Sequence, residues 1–180
     1  MKALREELGK SSGKEVKVLD STAIFLGFTE ISGCTLVTSR KILEESKYGE
    51  AKYRVLASRE GYMIKILTPG RGYLKEIRKV ASEMGERELS DADVSLLALA
   101  LQLSREGRKT SIVTSDYSIQ NIASKLGIKV EPILHEGIRK VIKWTTYCSV
   151  CGWVGNKAPG EPCPRCGHRL KRRPENVEED

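Results

Sequence analysis

The sequence predicts an α/β fold, a mostly parallel sheet flanked by helices, followed by a small cysteine-bearing module. Two observations predict the sheet and one the module. Short β-prone runs at residues 16–19, 34–38, 62–67, 110–114 and 128–131 alternate with helical segments, the order that builds parallel sheets. A stretch from Val94 to Leu103 is apolar on most sides, as a helix packed centrally on such a sheet must be. The alternation breaks near Pro132 to Gly137, and four of the five cysteines, Cys148, Cys151, Cys163 and Cys166, follow that break.

Residues 1–14 hold a short charged pattern and then Lys10-Ser11-Ser12-Gly13-Lys14, a linker composition expected to be flexible. After the strand Val16-Lys17-Val18-Leu19, Asp20 starts a short helix or turn that Gly27 closes. The run at 34–38 leads into a helix over 39–47 carrying Glu44 and Glu45, and a second helix is expected over 50–59. The strand at 62–67 stops at Thr68-Pro69-Gly70. Leu74, Ile77, Val80, Ala81 and Met84 then recur at helical spacing, with basic residues on the opposite face. Ser90-Asp91-Ala92-Asp93 opens the apolar helix, which ends at Gly107. The strand at 110–114 runs into Ser115-Asp116, a helix over 117–126 and a last strand at 128–131. This gives a domain at 15–134, a cysteine module at 135–173 and an acidic, solvated tail at 174–180.

Composition limits the function classes. With 39% apolar residues the 180-residue chain has material for one modest core, and its net charge of +7 and pI near 9.2 favour a polyanionic partner. No run approaches the roughly 18 apolar residues of a membrane span, and the N-terminus lacks an apolar signal core, so a cytoplasmic protein is expected. In a reducing compartment, clustered cysteines point to metal rather than disulfides. Cys34, standing apart, reads as a small buried hydrophobe.

The cysteine module is the most specific local signal. Cys148-x-x-Cys151 and Cys163-x-x-Cys166 are separated by eleven residues, and Gly152 and Gly167 directly follow each pair. Two such turns place four thiolates tetrahedrally about Zn²⁺, a closed and therefore structural site. Between Gly137 and Arg173 nine basic residues face one acid, Glu161. Even after thiolates and zinc are counted the module keeps about +6 charges, well suited to phosphates. Arg139, Lys140, Lys143, Lys171 and Arg172 are the candidate RNA contacts, with Trp144 a candidate for stacking on unpaired bases. Trp144, Tyr147 and Trp153 can instead pack around a small metal core, the reading favoured for Trp153.

Asp20 and Asp116 both follow strands and project from the carboxyl edge of the sheet, while Asp93 and Glu45 lie on helices able to reach the same edge. Four carboxylates meeting there would repel one another unless a cation such as Mg²⁺ or Mn²⁺ joined them. Each acid also has a plainer role. Asp20 and Asp116 fit helix N-caps, Ser90-x-x-Asp93 fits a capping box variant, and Glu45 fits a solvated helix face.

Val-Leu-Asp20-Ser-Thr-Ala, the Glu45 helix, Leu-Ser-Asp-Ala-Asp93 and Ile-Val-Thr-Ser-Asp116-Tyr-Ser-Ile-Gln-Asn, with the cysteine module, resemble PIN-domain ribonucleases, most closely the Nob-type endonucleases of small-subunit maturation. The resemblance spans roughly residues 15–170. It implies a PIN-like fold with a C-terminal zinc ribbon, and a divalent-metal endoribonuclease that cuts precursor small-subunit rRNA at its mature 3′ end. Precursor rRNA, the pre-small subunit and other assembly factors are the implied partners. It also implies catalytic and Mg²⁺ or Mn²⁺-binding roles for Asp20, Glu45, Asp93 and Asp116. Glu44 and Asp91 are rivals for two of these places, and Thr114 or Ser115 could orient a ligand carboxylate. Relatives often carry two adjacent acids where this chain has Ser115-Asp116.

The expected reaction is in-line attack of activated water on phosphorus, leaving a 3′-hydroxyl and a 5′-phosphate. Arg71, Lys75, Arg78 and Lys79 could hold the RNA backbone. Two rivals are an RNA-binding assembly factor with a degenerate acidic pocket, and a zinc-ribbon interaction module that leaves the acids unused.

Overall fold

The computed structural model describes residues 15–27, 33–45, 64–87 and 89–175. The expected flexible N-terminus, the helix at 50–59 and the tail beyond residue 175 lie outside the described residues.

Five parallel strands form the main sheet in the order β3-β2-β1-β4-β5: β1 (Val16–Leu19), β2 (Thr35–Ser39), β3 (Lys65–Leu67), β4 (Thr110–Thr114) and β5 (Lys129–Pro132). Each strand ends where the sequence supplies a cap or a breaker, and helices carry the chain back: α1 (Ser21–Phe25), α2 (Arg40–Glu45), α3 (Arg71–Glu83), α4 (Asp91–Arg105) and α5 (Tyr117–Lys125). β1 is buried at all four positions, including Lys17, whose ammonium pairs with Glu131 on β5. This burial explains why β1 reads as a continuous run rather than an alternating one.

Strand order reverses at β1. The chain moves outward through β2 and β3, then returns to place β4 against the other side of β1. Leu19 pairs with Val113, so Asp20 and Thr114 emerge side by side at the carboxyl end of this switch point.

α4 lies across this sheet. From Val94 to Leu103 every residue is buried, and the helix packs on α2, α3, β1, β2, β4 and α5. Burying a Leu side chain of this kind contributes about 2 kcal/mol. α3 turns Ile77, Ala81 and Met84 into the core and half-buries Leu74 and Val80, the five positions its periodicity marked.

The C-terminal module is an antiparallel three-stranded sheet ordered β7-β6-β8, built from β6 (Trp144–Tyr147), β7 (Val154–Gly155) and β8 (Lys171–Pro174). Its own buried cluster is small, Cys148, Cys163 and Leu170 with Cys151 and Trp153 packed on it. Trp153 thus takes its packing role. Glu175, expected in a solvated tail, instead closes on Lys143 through a backbone bond of 2.7 Å and a side-chain ion pair.

The module is anchored to the sheet domain through buried polar contacts. Trp144 N–H donates to Met84 O at 2.8 Å. Glu86, only 5% exposed, accepts at Oε1 from Trp144 Nε1 at 3.0 Å and from Asn121 Nδ2 at 2.8 Å. Asn121 also donates to Ile142 O and accepts from Ile142 N, both at 2.7 Å, while Gln120 Oε1 accepts from Ile138 N at 3.0 Å. Gly85 has φ +70 and lies against the Trp144 carbonyl, where a Cβ would collide with backbone.

Candidate active site and metal centre

Asp20 is the N-cap of α1. Its Oδ1 accepts from Thr22 N at 2.8 Å and Ser21 Oγ at 3.0 Å, and its Oδ2 accepts from the Thr114 hydroxyl across the β1/β4 switch point. The carboxylate is 5% exposed. Thr114 Oγ1 in turn accepts from the backbone N–H of Asp116 at 3.0 Å, so one buried hydroxyl ties the Asp20 carboxylate to the main chain at Asp116. Asp116 caps α5, its Oδ1 accepting from Ser118 N at 2.7 Å and Ile119 N at 3.2 Å.

Asp93 completes a capping box. Its Oδ2 accepts from Ser90 N at 2.9 Å, while Ser90 Oγ accepts from Asp93 N at 3.1 Å. Glu45 reaches from the last described residue of α2 to the same helix start, its Oε1 accepting from Ala92 N at 3.1 Å. Asp91 turns outward to an exposed pair with Arg78 at 2.6 Å, and it is Glu45 that contacts the α4 terminus.

Asp20, Asp93 and Asp116 all fill their capping roles. Capping engages Oδ1 of Asp116, Oδ2 of Asp93 and Oε1 of Glu45, leaving the second oxygen of each carboxylate outside the cap. Burial raises the Asp93 pKa, and the negative charges of Asp116 and Asp20 raise it further against the Ser90 hydrogen bonds. Among the described residues none of the four acids forms an ion pair with Lys or Arg. An oxygen-only donor set with uncompensated negative charge fits a hard divalent cation. Among the described residues, however, the cysteines alone bring three or more ligand groups within 4.8 Å of one another, so the carboxylates stand further apart than a closed shell.

The four sulfurs are already gathered. Cys148 and Cys166 lie 3.5 Å apart and Cys151 and Cys163 3.6 Å apart, close to the roughly 3.8 Å edge of a tetrahedron with 2.3 Å metal–sulfur bonds. The two turns repeat one design. Gly152 N donates to Cys148 O at 3.0 Å and Gly167 N to Cys163 O at 2.9 Å, both glycines having positive φ. Backbone N–H groups of Cys151 and Val150, opposed by burial, lower the Cys148 pKa to about 6. The His168 amide pulls Cys166 down, but the crowding thiols of Cys148, Cys151 and Cys163 push it up to about 12. Sulfurs that compete for protons in this way form an array suited to a cation, compatible with a zinc ribbon.

A family model described as the PIN domain of ribonuclease matches residues 18–103, which include Asp20, Glu45 and Asp93. Across 156 residues the chain is 35% identical to endoribonuclease Nob1 of Pyrococcus abyssi, covering 86% of this chain and 91% of that protein. The chain belongs to the Nob1 family of PIN-domain endoribonucleases. Endoribonuclease Nob1 of Archaeoglobus fulgidus is 33% identical over 156 residues, 85% of this chain and 87% of that one. Endoribonuclease Nob1 of Methanocaldococcus jannaschii is 34% identical over 166 residues, 91% and 80%.

In this PIN-domain endoribonuclease two of the expected RNA contacts face inward. Trp144 is half-buried against Glu86, and Arg172 stacks its guanidinium 4.5 Å over the Trp144 ring, 3.8 Å from Glu86. Both join the module to the nuclease domain, a role the charge count could not separate from phosphate binding. Arg139 pairs with Glu136 and Lys143 with Glu175, while Lys140 and Lys171 are exposed. Of the residues on α3, Arg78 is committed to Asp91, and Arg71 and Lys75 are exposed. Sequence reasoning missed Glu86, which sits in a charged stretch that reads as surface, and also missed Asn121 and Gln120. Those two gave a faint signal, adjacent amides among apolar neighbours inside a helix. No helix among the described residues is long and apolar enough to cross a membrane.

Proposed function

We propose that this endoribonuclease is metal-dependent and cuts precursor small-subunit rRNA at its mature 3′ end, with the C-terminal ribbon helping to place the RNA. The observation that carries the catalytic part is the β1/β4 switch point. There Thr114 ties the Asp20 carboxylate to the backbone N–H of Asp116, and Asp93 has its carboxyl pKa raised by burial and by the charges of both acids. In this proposal Asp20, Glu45, Asp93 and Asp116 hold Mg²⁺ or Mn²⁺, and Cys148, Cys151, Cys163 and Cys166 hold a structural Zn²⁺. A divalent cation at the acids supplies Lewis acidity and a water of lowered pKa. The protein's part is placement. Thr114 holds the Asp20 carboxylate in one orientation, and the Ser90 capping box does the same for Asp93. Asp20 is buried at the β1/β4 edge and Asp93 is half-buried, while Glu45 and Asp116 are exposed to solvent. Cleavage leaves a 3′-hydroxyl and a 5′-phosphate.

The substrate assignment is supported by the relatives named endoribonuclease Nob1 and by the basic ribbon. Pre-small-subunit particles and a cytoplasmic location follow from the same proposal. The domain limits proposed are 15–134 for the nuclease and 135–173 for the ribbon, joined by the buried contacts of Glu86 and Asn121. RNA spanning the small-subunit 3′ end, incubated with Mn²⁺ or with chelator, tests the proposal. One specific cut that requires the metal is expected. Equal cutting of unrelated RNA contradicts the substrate, and cleavage surviving Asp20→Asn contradicts the site.

A further inference from the structure

Tyr117 is the residue after Asp116 and the first of α5, yet its large ring is 56% exposed. It does not dangle. The ring is stacked on His135 with centroids 4.2 Å apart and planes 9° from parallel. His135 is itself pinned. Its Nδ1 accepts from Gly137 N at 3.1 Å, so Nε2 carries the hydrogen and donates to Ser115 O at 2.8 Å. The imidazole thus buttresses one face of Tyr117 from a loop tied to the residue preceding Asp116. An exposed aromatic ring held rigid loses little freedom when a second flat group stacks on it. Its helix start is fixed by the cap of Asp116, the residue directly before it in the chain.

We propose that Tyr117, backed by His135, is a stacking platform for one unpaired nucleobase of the substrate RNA, next to the acidic centre. The proposal rests on the nuclease reading for the identity of the ligand, and it names a subsite that the acids do not provide. Carboxylates handle the phosphodiester and repel the backbone elsewhere, so a neutral contact to a base is the chemistry suited to holding the strand beside them. Stacking also tolerates any base, because each presents a π face.

The test uses a short single-stranded RNA carrying 2-aminopurine at each position in turn, bound to the full chain in an Asp20→Asn background so that it stays intact. One position is expected to show several-fold quenching. Tyr117→Phe retains the quench, whereas Tyr117→Leu abolishes it and weakens binding about tenfold. An abasic nucleotide at that position weakens binding to the Tyr117 protein by a similar factor and erases the difference between it and the Tyr117→Leu protein. Equal quenching in Tyr117→Leu, equal weakening by Tyr117→Phe, or a Tyr117→Leu loss that persists on abasic RNA overturns the platform. Because nothing is cut in this assay, a failure of the nuclease reading appears separately, as lack of cleavage by the unsubstituted chain.

Discussion

Replacing Glu86 separates two ways in which a buried acid could join the ribbon to the nuclease domain. One oxygen, Oε1, accepts from both Asn121 Nδ2 and Trp144 Nε1, while Oε2 is buried without a hydrogen-bond partner and lies 3.8 Å from Arg172. Glu86→Ala strips the acceptor from two donors at once. A buried donor left unsatisfied costs about 1–3 kcal/mol, so the pair costs roughly 2–6 kcal/mol before any cavity is counted. For a chain of this size that corresponds to a fall in Tm of about 5–15 °C. Glu86→Gln keeps a carbonyl oxygen where Oε1 was and removes a charge whose other oxygen is unsatisfied, so it changes stability by less than about 1 kcal/mol. Thermal unfolding gives the size of each effect, and amide hydrogen exchange at Ile142 and Trp144 gives its location. Faster exchange confined to the ribbon junction is expected for Glu86→Ala alone. If Glu86→Gln is as damaging as Glu86→Ala, the ion pair with Arg172 dominates and the hydrogen-bonded hub is refuted.

Other perturbations address the acids and the sulfurs. Thr114→Val removes the hydroxyl that orients the Asp20 carboxylate and accepts from Asp116 N, and is expected to weaken divalent-metal affinity about 10–100-fold; titration with Mn²⁺ measures it. Asp93 has a folded pKa above its unfolded value, so its contribution to stability is present below about pH 3.9 and lost as pH rises through the folded pKa. Asp93→Asn should therefore raise the Tm of the metal-free protein by about 1–2 °C near neutral pH, with little gain at pH 4, while cleavage is lost. Removing metal from the cysteines should unfold the ribbon while the sheet domain, which has its own core, keeps its far-UV spectrum. Native mass spectrometry of the untreated chain should find one Zn²⁺ per molecule, released together with ribbon exchange protection.

Much of this fold is legible in the order of its elements. The strand at 110–114 and the apolar α4 helix stand where the pattern puts them, because the hydrophobic runs are long enough for burial to outweigh local preference. Asp20, Asp93 and Asp116 are legible as caps, and the structure places each of them at the start of a helix. The bond from Ala92 N to Glu45 joins α2 to α4, a contact that no local pattern encodes. The ribbon junction was illegible for a different reason. Glu86, Arg172 and Trp144 look like surface charge and a stacking aromatic, and only tertiary packing makes them partners. His135 likewise gains its role from Ser115 and Gly137, and from Tyr117, eighteen residues before it in the chain.

The central claim is that four acids from separate segments act as one cation site. Mn²⁺ titration followed by electron paramagnetic resonance, on the chain and on Asp20→Asn, Glu45→Gln, Asp93→Asn and Asp116→Asn, tests it directly. The prediction is a Mn²⁺ site on the unsubstituted chain that each substitution weakens at least tenfold while Zn²⁺ content is unchanged. Mn²⁺ affinity that is indifferent to these substitutions would contradict it.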